Sequence, residues 1–194
     1  MTWMHRFSQW SLWFGGSLIL LAAILIGIDV LMRKFLLLSI GGSDELAGYA
    51  LAIGTAWSLG AALLDRAHIR IDSLYLLFPG ALRVILDLVG VALMVFFFGL
   101  IAWHGWGVVD QSWTSGSRSQ SALEIPTVIP QLLWLAGLIS FVVIGTVLFV
   151  KAVHVARTKG RWAASALVGT KSAQEEVEEE MRGIQERAAQ EAVN

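Results

Sequence analysis

The ionisable residues whose spacing suits chemistry sit in one short run, Asp65-Arg66-Ala67-His68-Ile69-Arg70-Ile71-Asp72. Its charges alternate with Ala67, Ile69 and Ile71, so the segment has a polar edge and an apolar one. Guanidinium groups on such an edge can hold lipid phosphates, and Arg66 and Arg70 suit that role; generic topology signalling would use the same residues. His68 is read as a polar hydrogen-bonder at a membrane surface. Other chemistries lack their parts. There is no cysteine, which removes disulfides, thiolate metal sites and cysteine nucleophiles. There is no glycine-rich phosphate loop, no His/Glu metal spacing and no nucleophile elbow. Haem needs axial ligands facing each other across helices, but His5, His68 and His154 fall outside the apolar stretches, which leaves His104 alone inside one. Neither an enzyme nor a cofactor is expected, and no nucleic-acid partner.

The elements that position these residues are set by where charge is missing. Only 15% of the 194 residues are charged, 56% are hydrophobic, and mean hydropathy is +0.68. Residues 7–28, 46–64, 88–109 and 125–150 hold no Asp, Glu, Lys or Arg. About 20 apolar residues cross the ~30 Å hydrocarbon layer as a helix. Runs such as LILLAAILIGI do not alternate, which excludes barrel strands. The fold expected is an all-α membrane protein with four transmembrane helices, spans at about 7–28, 46–64, 86–109 and 125–150, in a membrane domain of residues 1–155. The first stretch has an apolar core longer than a signal peptide's and no small-residue cleavage site after it, so it is read as a retained span.

Orientation follows from the cations. With the N-terminus inside, inner segments hold nine Lys and Arg residues up to Lys171, and outer segments hold only Arg33, Lys34 and Arg118. Both termini are expected in the cytoplasm. Trp10 and Trp13 flank the start of the first span, and Trp103, Trp106 and Trp113 mark the outer end of the third, as interfacial anchors do. Asp29 and Asp87 stand at span ends, where a carboxylate is expected to reach water. The inner loop 65–87 contains a segment suited to lie along the membrane surface as far as Pro79-Gly80. The outer loop 110–124 is rich in Ser and Gly and reads as a solvated connector. Pro126 and Pro130 are expected in the first turns of the fourth span. Residues 156–194 form a cytoplasmic tail, basic and then acidic, with a short amphipathic repeat of Val177, Met181, Ile184 and Ala188.

Within the second span Gly48, Ala52, Ala56 and Gly60 recur every four residues. Such small residues let helix backbones approach closely where lipid supplies no hydrophobic driving force. The stripe suits packing inside this chain and packing on a partner subunit equally well. Ala23 with Gly27, and Gly137 with Gly145, are weaker versions.

Arg33 closes span one, Asp44-Glu45 opens span two, a small-residue helix AGYALAIGTAWSLGAALL follows, and the DRAHIRID run comes directly after it. This order resembles the DctQ-like small membrane subunit of tripartite ATP-independent periplasmic (TRAP) transporters. Glu45 takes the family's acidic position, and His68, Ile69, Arg70, Ile71 and Asp72 match its His-aliphatic-Arg-aliphatic-Asp motif. The likeness covers about residues 10–155; residues 34–44 lack the aromatic-asparagine pair and tryptophan that members often carry. It implies a scaffold in the bacterial inner membrane that binds phospholipid and braces a large elevator-type subunit. That partner would hold the sodium and substrate sites, and a periplasmic binding protein would deliver an organic acid. Glu45 suits the positive end of the helix dipole or a pair with Arg33 or Lys34. A tethered adaptor using the acidic tail, and a self-sufficient small homo-oligomeric transporter, are the alternatives.

Overall fold

The computed structural model describes residues 2–65, 78–158 and 181–185. Arg66, His68, Arg70 and Asp72, the expected surface segment and most of the tail lie outside the described residues. Four long helices are present among those described: α1 (Thr2–Phe35), α2 (Ser43–Leu64), α3 (Gly80–Ser115) and α4 (Val128–Thr158). Each is long and apolar enough to cross a membrane. At 1.5 Å per residue they measure about 51, 33, 54 and 46 Å. α2 alone is cut to the thickness of the hydrocarbon layer; the other three overhang it. The first three charge-free stretches lie within longer helices, whereas the fourth begins three residues before α4.

The helix ends have local causes. Gly42, with φ of 89°, precedes α2, whose first turn carries Asp44 and Glu45 at the positive end of its dipole. Any side chain at Gly42 would also collide with Leu123. α3 stops in a Schellman arrangement: Gly116 takes φ of 61°, its N–H donates to the Trp113 carbonyl, and the Ser117 N–H donates to that of Ser112. α4 begins at Val128, so Pro130 sits in its first turn, where a missing N–H costs nothing. Pro126, expected in that turn, instead pairs with Arg118 in an isolated bridge before the helix starts.

The helices pack in a row. α1 lies mainly against α2, α2 against α4, and α4 against α3, so α1 and α3 form the two edges. The tightest core gathers Leu63, Val91, Phe141, Ile144, Leu148 and Ala152, with Met4, Phe7 and Phe98 packed around it. Its buried members come from the end of α2, the first half of α3 and the middle and end of α4, and the start of α1 packs against them. The opposite end, where the 36–42 and 116–127 loops meet, is held together differently.

Candidate functional site

α1 buries one narrow face of small residues, Ser8, Ser11 and Gly15, spaced three and four apart. Gly15 meets Gly54 of α2 backbone to backbone: a methyl group on Gly15 would stand 2.5 Å from the Gly54 carbonyl oxygen, and one on Gly54 would stand 2.7 Å from that of Gly15. These two glycines were missed by the sequence reading, which followed the fourfold repeat along α2. The three-and-four spacing of Ser8, Ser11 and Gly15 is the signal that marks the contact.

The repeat itself divides. Ala56 and Gly60 are buried, and each faces α4: a methyl on Gly137 would touch Ala56, and one on Gly60 would stand 2.8 Å from the tip of Ile144. Trp57 lies across Gly137, donates its indole N–H to the Leu133 carbonyl at 2.9 Å, and meets Phe14 of α1 edge-on at 5.3 Å. One indole thereby ties three helices. Gly145 packs on Val95 and Leu63. Gly48 and Ala52, in contrast, are exposed, and a methyl on Gly48 would meet nothing within 4 Å. They border a groove of about 360 Å³ whose other walls include Leu51, Phe98, Ile101, Trp134 and Leu138. A neighbouring cleft of about 240 Å³, between Tyr49, Ile53, Pro130 and Gln131, shares Ala52 and Trp134 with it. The Gln131 side-chain amide oxygen, Oε1, is buried there without a hydrogen-bond partner. Ala23 and Gly27 are exposed on α1, where Gly27 likewise has open space around it.

The loop end is built on two carboxylates. Asp29 is 1% exposed. It pairs with Arg33 one turn on, and accepts from the Ile40 N–H at 2.6 Å and the Ser39 hydroxyl at 3.2 Å. The side chain expected to reach water instead folds the α1–α2 connection back onto α1. Glu45 accepts from the Tyr49 hydroxyl at 2.5 Å, and the Ser119 and Ser121 side chains lie against it. Arg33 is thus engaged by Asp29, and Glu45 is held by hydroxyl groups.

The 116–127 segment is correspondingly organised, not a plain connector. The Ser119 N–H donates to Ile125 O at 2.9 Å, the Thr127 N–H to Ser117 O at 3.1 Å, and Arg118 Nη1 to Glu124 O at 3.3 Å. Leu123 then packs on Gly42 and Ala122 on Gly41. Serine hydroxyls add to these contacts, Ser119 Oγ accepting from the Ile125 N–H at 3.1 Å and Ser121 Oγ from the Leu123 N–H at 3.2 Å; serine content by itself reads as solvation, so the sequence hid the fold of this loop.

The remaining ionisable groups are dispersed. Asp87 is 0% exposed inside α3, again where contact with water was expected. His104 is exposed on the surface of α3. Among the described residues no three His, Asp or Glu side chains gather where one metal ion would fit. Trp10, Trp13, Trp103 and Trp106 are all exposed, as residues facing lipid would be. Chemically, Asp29 and Glu45 are already occupied in holding the chain together.

A family model described as tripartite ATP-independent periplasmic transporters, DctQ component, matches residues 22–155. No curated protein and no solved structure matches the chain.

Proposed function

We propose a bracing role for this chain, which belongs to the DctQ family of small, non-catalytic membrane subunits of TRAP transporters. It packs on a large membrane subunit that carries sodium and an organic acid, while a periplasmic binding protein supplies the acid. The chain itself binds phospholipid, carries nothing and stays fixed in the inner membrane with both termini in the cytoplasm. That orientation rests on the excess of Lys and Arg in the 66–83 and 151–171 segments.

The observation that carries the reading is the divided stripe on α2. Ala56 and Gly60 are used up inside the chain, while Gly48 and Ala52 are left bare beside an apolar groove. A helix from a neighbouring subunit can approach a bare Gly/Ala surface closely and gain dispersion contacts that lipid tails supply poorly. Two features support a static role. Asp29 and Glu45 are saturated by Arg33, Ser39, Ile40 and Tyr49. The loop end is also pinned by Leu123 on Gly42. Intramembrane carriers keep ionisable groups facing an interior path; here His104, inside the third charge-free stretch, faces outward, and the buried Asp87 stands near the start of α3, at the end of that stretch.

Reconstitution tests this. The chain and its large subunit should co-purify as a 1:1 membrane complex, and vesicles holding this chain alone should show no sodium-driven uptake. Uptake by the chain alone would overturn the proposal.

A further inference from the structure

α1 is an edge helix, and its open face is apolar beyond the point where charge counting ends the span. Asp29 interrupts the uncharged run in the sequence, but its side chain is turned into the protein. On the exposed side Ile24, Ile28, Leu31 and Phe35 follow one another at helical spacing, all open. From Phe7 to Met32 this side carries no charge, a length of about 39 Å at 1.5 Å per residue. That exceeds the ~30 Å hydrocarbon layer and approaches the ~40–45 Å of a bilayer with its headgroups.

Past this point stand Arg33 and Lys34, then Phe35, Leu36, Leu37 and Leu38, exposed by between 58 and 89%. Four consecutive large apolar side chains in the open are a liability in water. They are held in place rather than trailing, because Ser39 and Ile40 return to the Asp29 carboxylate. That return closes the 35–40 turn against the last two turns of α1. Leu37 also adopts φ of 55°, a left-handed conformation that a branched aliphatic residue rarely takes and a glycine would take freely. A strained leucine at 89% exposure points to use of the side chain.

We infer that Phe35–Leu38 is a membrane anchor, seated at the boundary between acyl chains and headgroups of the leaflet on the loop side. Charge selects lipid as the occupant. Lys34 is exposed with its ammonium 5.5 Å from the Phe35 ring, and Arg33 is half exposed, so cations border the apolar tip at the level of lipid phosphates. The surface is also continuous with the lipid-facing side of α1. The anchor would hold the α1 edge at a fixed depth without any contact from a partner.

The chain lacks cysteine, so Leu37→Cys gives a single attachment point for a nitroxide. The labelled chain is assembled with a cysteine-free large subunit in phospholipid vesicles, and collision rates are measured with oxygen, which partitions into lipid, and with a water-soluble nickel chelate. Ser115→Cys serves as the aqueous reference and Leu133→Cys as the hydrocarbon one. The expected result is an oxygen-to-nickel ratio several-fold above that of Ser115→Cys, matched by Leu38→Cys. A ratio equal to the aqueous reference would overturn the anchor. Protection from both reagents would overturn it too, because the tip would then be covered by protein.

Discussion

Gly48 and Ala52 continue the same four-residue repeat as Ala56 and Gly60, on one face of one helix, yet the two halves have opposite surroundings. The second half meets α4, where Ala56 touches Gly137 and Gly60 faces Ile144. The first half meets open space beside the Phe98 and Trp134 groove. The difference arises from how the row of helices is closed. Toward the end of α2 the core cluster of Leu63, Phe141 and Leu148 draws the helices together, and toward its start the chain is held by loops instead. A repeat of small residues thus states that a helix approaches, and the tertiary arrangement decides whether that helix is internal.

The largest effect is expected between the two halves, at Gly54. Leucine there has no room, because its first carbon would already stand 2.7 Å from the Gly15 carbonyl oxygen, and backbone cannot swing aside as a side-chain tip can. Gly54→Leu should separate α1 from α2 and cost about 3 kcal/mol or more, at the upper end of overpacking effects. The chain alone, unfolded thermally or by denaturant in detergent, would show it as a large loss of stability. Retention of wild-type stability would mean that α1 and α2 do not cross at these glycines.

Ala56→Leu should come next, at about 1–3 kcal/mol, since Gly137 and the Trp57 indole lie directly against that face. Gly60→Leu should cost less than Ala56→Leu. Its obstacle is the terminal methyl of Ile144, which can rotate away. The same unfolding measurement orders the two, and the reverse order would place the helix approach nearer Gly60 than Gly137.

These cases also show what could be read without coordinates. Four spans were legible because lipid punishes charge, which leaves long uncharged runs. The burial of Asp29 was not, because hydropathy assigns every residue the same surroundings whichever way it faces. Counting Asp29 as the end of span one therefore shortened the apolar face of α1 that runs on to Phe35. The 116–127 loop escaped for a related reason: Ser119 and Ser121 have the composition of a solvated connector, and their structural role comes from what they touch, Glu45 and the N–H groups of Ile125 and Leu123. The family motif was legible by resemblance, and its His68, Arg70 and Asp72 lie outside the described residues.

A smaller change sharpens the account of the packed half. Trp57→Phe keeps the ring on Gly137 and near Phe14 but removes the N–H that reaches Leu133 O. A hydrogen bond of this kind contributes about 1 kcal/mol net, and interhelical ones in membranes often less. The Leu133 carbonyl lies within α4 and loses only this extra donor, so the expected destabilisation is about 0.5–1 kcal/mol. A cost above that of Ala56→Leu would show that the indole N–H, more than close approach, holds α2 to α4.

The smallest effect on folding is expected at Ala52. Ala52 is exposed, and leucine there would enter the open groove that Trp134 also lines. A substitution at such an exposed site should change the stability of the isolated chain by no more than about 0.5 kcal/mol. Assembly is a separate matter. If a neighbouring subunit's helix seats on Gly48 and Ala52, an added isobutyl group prevents the close approach that makes a small-residue surface useful. Ala52→Leu should then melt like the wild type and yet fail to co-purify with the large subunit, with uptake lost in proportion. The paired measurement separates the two halves of α2: Ala56→Leu should lower stability, and Ala52→Leu should leave stability intact and remove the partner. If Ala52→Leu assembles normally, the bare half of the stripe faces lipid, and the bracing contact must lie on another face of the row.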